Sequence, residues 1–99
     1  MPGNELVQSL VRALDILECV SRSPNGVRLS DVGAELGLNT TTAYNLMRTL
    51  SERGYLQKDS LSRYRLGSAV TELVLQERSR LLIQSAGAQL LKISAVLPR

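Results

Sequence analysis

The spacing of apolar residues changes four times along this chain, and each change marks a new kind of element. From Glu5 to about Ser21, Leu6, Leu10, Ala13, Leu14 and Leu17 recur at helical spacing and predict a first helix with one apolar stripe. Val7, Val11 and Ile16 widen the apolar surface beyond that stripe, which predicts a second contact, either with the domain's own sheet or with another subunit. Ser23, Pro24, Asn25 and Gly26 then form a turn, because proline presets one backbone angle and glycine permits the other. Val27, Arg28 and Leu29 alternate and are too few for a helix, so a short strand is expected. Ser30 is placed to cap a short helix with Val32 and Leu36 on its inner side, and Gly37 to end it in the left-handed conformation.

Asn39 is the next helix cap, since its side-chain oxygen can accept a first-turn N–H. Gly54 marks where that helix stops, so it covers about residues 40–52. Ala43, Leu46, Met47 and Leu50 form its apolar face, and Thr41, Tyr44, Asn45 and Arg48 follow i, i+3, i+4, i+7 on the opposite face. Only Gly37, Leu38 and Asn39 separate it from the helix before, the short glycine-containing connection of a helix-turn-helix.

After Gly54 the period becomes two. Tyr55 to Lys58 and Arg63 to Leu66 predict paired strands around the turn Asp59, Ser60, Leu61, Ser62, with Tyr64 and Leu66 on one side and Arg63 and Arg65 on the other. From Ser68 the pattern is helical again, with Ala69, Val70, Leu73 and Val74, then Leu82, Ala86, Leu90, Ile93 and Leu97 as apolar positions. The expected fold is mainly α with a small β-hairpin wing. It is a winged helix-turn-helix over residues 5–67 followed by a further helix from Ser68.

Composition narrows the function classes. Ninety-nine residues with 43% hydrophobic content suit one small domain with a modest core, for which stabilisation by a partner chain is expected. A net charge of +3 permits nucleic acid without demanding it. Its distribution says more: from Arg28 to Gly67 there are six basic residues against four acidic ones, whereas the preceding segment sums to minus one. Histidine is absent and Cys19 is the single cysteine, so neither a zinc cluster nor an internal disulfide can be built, and Cys19 is expected to be a buried thiol. The run from Leu81 to Leu91 is too short to span a bilayer, and a cytoplasmic location is expected. Without histidine, a glycine-rich phosphate loop or a nucleophile set beside a base, no enzyme and no cofactor are expected in this chain.

The side chains on the polar face of residues 40–52 suit DNA. Hydroxyls, a carboxamide and a guanidinium bond phosphates and base edges, so Thr40, Thr41, Thr42, Tyr44, Asn45 and Arg48 are the candidate contacts in the major groove. Lys58, Arg63 and Arg65 are the wing charges placed to meet phosphates or the minor groove; the alternative is that they block edge pairing and keep the hairpin soluble. A winged helix can also serve protein contact, and salt dependence separates the two uses. The helix after Ser68 either pairs across a two-fold axis or folds back on its own domain. A homodimer or higher homo-oligomer on an inverted repeat of double-stranded DNA is the favoured assembly.

Six blocks in register carry a family resemblance. They are Arg12 to Leu17, Leu29 to Val32, Leu36 to Leu38, Leu46 to Leu50, Glu52 to Leu56, and Arg63 to Gly67. In order and spacing they resemble the N-terminal DNA-binding domain of IclR-type bacterial transcriptional regulators, over Leu6 to about Val74. The resemblance implies a winged helix-turn-helix, a linker helix and a separate C-terminal domain that senses a small-molecule effector, the last expected only in a full-length protein. On that resemblance residues 68–99 hold the linker helix and the start of that further domain, and the chain then reads as a fragment, or as a natural truncation, of such a regulator. The family often opens its recognition helix with proline, lysine, serine and threonine, followed by histidine and arginine. Asn39, Thr40, Thr41 and Thr42 stand there instead, followed by Tyr44 and Asn45. Phosphate binding therefore carries over to Thr41, Thr42 and Arg48, and a relative's base preference does not carry over to Tyr44 and Asn45.

Overall fold

A computed structural model describes the backbone of residues 5–84 and the side chains of residues 5–78. The elements run α1 (Gln8–Ser21), α2 (Leu29–Leu36), α3 (Thr40–Glu52), β1 (Leu56–Lys58), β2 (Tyr64–Leu66) and α4 (Ser68–Gln84). The chain divides into two compact units, the first ending at Ser68 and the second beginning at Ala69. The first unit holds three helices and an antiparallel two-stranded hairpin in the register Leu56↔Leu66, Gln57↔Arg65, Lys58↔Tyr64. In the second, the expected helix is present as α4, on which Leu73 and Leu75 are exposed. The expectations for Leu82, Leu90, Ile93 and Leu97 fall outside the described side chains.

The core is drawn from every element of the first unit. Ile16, Cys19 and Val20 of α1 meet Val32 of α2, Met47 of α3, Leu56 of β1 and Tyr64 of β2, and Leu17, Leu36, Leu46 and Leu50 pack around them. Each of these apolar side chains contributes on the order of 1.5–3 kcal/mol on full burial, so the core rests on a few residues per element. Cys19 is the expected buried thiol, and its Sγ–H donates to Glu35 Oε1 at 3.5 Å. Burial first, and the Glu35 carboxylate second, push its pKa up, so the thiol stays protonated and inert.

Four local expectations are corrected. The helix starts at Gln8 rather than Glu5, and its N-cap position, Val7, has no side chain that could accept a first-turn N–H. Part of the expected stripe is on the outside: Leu10 is 59% and Leu14 51% exposed, and Leu6 more so, whereas Ala13 and Leu17 are half-buried. The fully buried residues of α1, Ile16, Cys19 and Val20, all lie in its C-terminal half, with Leu17 packed against the core there. At 100° per residue Leu14 stands roughly 160° round the helix from Ile16. Ser30, expected as a cap, lies inside α2; Arg28 precedes the helix, and its carbonyl accepts the N–H groups of Asp31 and Val32. Val27 forms a single antiparallel bridge with Tyr64 rather than a strand, because Leu29 already begins α2.

Candidate nucleic-acid interface

The connection between α2 and α3 sets how α3 is presented. Gly37 sits at φ 69°, and the N–H groups of Gly37 and Leu38 both return to the Gly33 carbonyl, closing the end of α2. Two residues later Asn39 Oδ1 accepts the Thr42 N–H at 2.8 Å and opens α3. Ala43 and Met47 are fully buried, so Asn45, roughly 160° round the helix from both, is forced outward. Thr41, Tyr44, Asn45 and Arg48 are all exposed, as expected from their spacing, and Thr40 is exposed at the first helical position. Thr42 is half-buried beside the cap. Thr49 is withdrawn from any contact role for its hydroxyl hydrogen, which goes back to the Asn45 carbonyl at 2.8 Å.

The hairpin is organised by a carboxylate that the spacing argument left unassigned. Asp59 Oδ1 accepts the N–H groups of Leu61 at 2.8 Å and Arg63 at 3.0 Å, which folds the loop and leaves Ser62 at φ 62°. The Arg63 N–H above all, then the Leu61 N–H and the Arg65 guanidinium, hold the Asp59 carboxyl below its ordinary value. An aspartate opening a short loop is the signal that could have pointed to it.

Register divides the three wing cations between the two faces of the hairpin. Lys58 lies opposite Tyr64 and on its side of the sheet, with Nζ 5.7 Å from the ring centroid. Arg63 and Arg65 occupy the other face and point into the turn after α1. Arg65 donates to the Pro24 carbonyl at 2.9 Å and the Asn25 carbonyl at 3.1 Å and pairs with Asp59 at 3.3 Å; Arg63 reaches the Asn25 carbonyl at 3.5 Å. The turn and hairpin approach so closely here that a Cβ on Gly26, which sits at φ 85°, would lie 2.9 Å from Arg63 Cβ. The single basic outer face expected of the wing is therefore two faces. One is tied down by its own chain and the other carries Lys58.

Two open clefts meet along Tyr44. One, of about 460 Å³, runs between α3 and β1 and is bordered by Arg48, Ser51, Gln57 and Lys58. The other, of about 260 Å³, lies between the start of α2 and the wing and is bordered by Arg28, Ser30, Lys58 and Ser62. Tyr44, Lys58 and Tyr64 line both, so the exposed face of α3 and the Lys58 side of the wing form one continuous surface. Arg28 is the residue that sequence spacing missed. It belongs to no periodic face, and only the closure of the wing over the start of α2 brings it here.

Among the described residues, no group of three or more cysteine or acidic side chains is placed to hold a metal, and no helix is long and apolar enough to cross a membrane.

Three helices, the third held by a glycine turn with its polar face outward, and a hairpin bordering that face define a winged helix-turn-helix domain. The chain belongs to the IclR family: the model of the IclR helix-turn-helix domain matches residues 9–60. It is 37% identical over 68 residues to the glycerol operon regulatory protein of Streptomyces coelicolor, covering 68% of this chain and 27% of that protein. It is also 31% identical over 86 residues to the transcriptional repressor IclR of Escherichia coli, covering 83% and 31% of the two. In three dimensions it resembles an IclR transcriptional regulator from Alicyclobacillus acidocaldarius with a TM-score of 0.69 at 29% identity, over 75% of this chain and 30% of the other. The IclR protein of Thermotoga maritima gives the same TM-score at 25% identity, over 74% and 30%. The chain thus spans about 27% to 31% of the length of the curated relatives named here.

Proposed function

We propose that the chain is the DNA-reading part of a transcriptional regulator, acting by binding and not by catalysis, in the cytoplasm where its DNA is. The observation that carries this reading is the exposed row Thr41, Tyr44, Asn45 and Arg48, standing opposite the buried Ala43 and Met47 and continuous with Lys58. An α-helix fits the major groove of B-DNA, where asparagine pairs bidentately with adenine and arginine with guanine. Asn45 and Arg48 are the base readers, and Thr40, Thr41 and Thr42 bond phosphates beside the helix N-terminus, where the first-turn dipoles favour negative charge. Of the wing cations, Lys58 stands on the side of α3 and borders the same duplex.

The partner is double-stranded DNA, and the assembly is a homodimer on an inverted repeat. One domain of this size covers part of a site, and the exposed Leu10 and Leu14 on α1, with Leu73 and Leu75 on α4, are apolar surface that a second copy would cover. A small-molecule effector belongs to the rest of a longer protein. Selecting bound duplexes from genomic DNA with the whole chain and with Asn45→Ala tests the reading. A motif that loses preference at one position in the variant supports it, and identical motifs remove Asn45 as a reader.

A further inference from the structure

Resting on the DNA-binding reading, the geometry points to a phosphate seat shared by Arg28 and Lys58. Arg63 and Arg65, by contrast, act as positioning residues for the wing and make no phosphate contact. Arg28 enters from the residue before α2 and Lys58 from the end of β1, and both border the 260 Å³ cleft with Ser30, Tyr44 and Ser62. No acidic residue lines that cleft. Among the described residues neither cation has an ion pair or a side-chain hydrogen bond, and Lys58 has only its approach to the Tyr64 ring.

Two cations line this acid-free, solvent-open recess, and an anion that enters it is attracted by both. Hydroxyls at Ser30 and Ser62 add donors suited to phosphate oxygens. The cleft shares Tyr44 with the exposed face of α3, and a major groove that admits a helix is walled on both sides by phosphates. The anion is therefore a backbone phosphodiester of the duplex that α3 reads. The opposite face of the hairpin offers nothing comparable. Three of the N–H groups of Arg65 are already directed at Asp59, Pro24 and Asn25, and leaving them for a phosphate would free the wing from the turn after α1.

The affinity of the whole chain for a selected duplex, measured against salt, tests this. Arg28→Gln and Lys58→Gln should each lower affinity for all duplexes by about tenfold. The double variant should flatten the slope of log affinity against log salt by about one unit, as loss of one phosphate contact requires. Thermal melting should be unchanged in Arg28→Gln, since Arg28 has no ion pair among the described residues, and at most slightly lowered in Lys58→Gln, which loses only its approach to the Tyr64 ring. Arg63→Gln and Arg65→Gln should lower the melting temperature and leave the slope as it is, and Arg65→Lys should not restore melting, because a lysine cannot reproduce the forked contacts. A double variant with an unchanged slope, or an Arg65→Gln slope flattened by one unit, overturns the assignment. If the unaltered chain shows no salt dependence on any duplex, the DNA-binding reading itself falls. A steep parent slope with an unchanged double variant removes only the shared seat.

Discussion

Single side chains set the presentation of α3, and Asn39 is the clearest of them. Its one hydrogen bond to the Thr42 N–H supplies a partner that no backbone group can, so Asn39→Ala should cost about 1 kcal/mol in urea unfolding. Asn45, whose side chain points to solvent, should behave oppositely: Asn45→Ala leaves stability nearly unchanged and costs roughly 1–3 kcal/mol of discrimination at one base pair. Asp59 gives a pH dependence with a definite sign. Its folded pKa is lowered, so its charge stabilises the fold fully above the ordinary carboxylate value of 3.8 and this contribution is lost as pH falls through the folded value. The stability gap between the parent and Asp59→Asn, measured by urea titration, should narrow below pH 3.8 and be constant above it. At this scale the sequence was readable where the partner is local. Asn39 and Thr42 are three residues apart, whereas Arg65 and the Pro24 carbonyl are 41 apart, and no spacing rule links a guanidinium to a backbone oxygen at that distance.

Whole elements were legible in proportion to how one-sided they are. α3 has one apolar face and one polar face, and its bounds, cap and exposed row follow from the pattern. α1 has two apolar faces, and hydrophobicity alone cannot say which one the rest of the domain meets; only tertiary contact selects Ile16, Cys19 and Val20. The wing was legible as a hairpin, but the side of it that carries each cation depends on register, which places Lys58 opposite Tyr64 and Gln57 opposite Arg65. The α2–α3 connection makes a separate prediction. Gly37 sits at φ 69° with open space around it, so Gly37→Ala meets no clash and pays only the left-handed backbone strain, about 1–2 kcal/mol by chemical denaturation. Gly37→Asn should cost less, since asparagine tolerates that conformation better.

The domain as a whole presents an exposed polar face on α3 and exposed apolar surface on α1, and their proposed roles should separate experimentally. Leu10→Lys with Leu14→Lys should reduce self-association in sedimentation at micromolar concentration without lowering thermal stability, because neither leucine is in the core. A pair of substitutions that unfolds the chain would instead mean that this stripe is packed. The central proposal is that Asn45 and Arg48, in the exposed row with Thr41 and Tyr44, read base sequence, and a general attraction for polyanions would mimic part of that behaviour. The most direct measurement is the affinity of the whole chain for its selected duplex compared with a shuffled duplex of equal length and composition, at one physiological salt concentration. The account predicts a preference on the order of a thousandfold. Equal affinity for the two duplexes would contradict it.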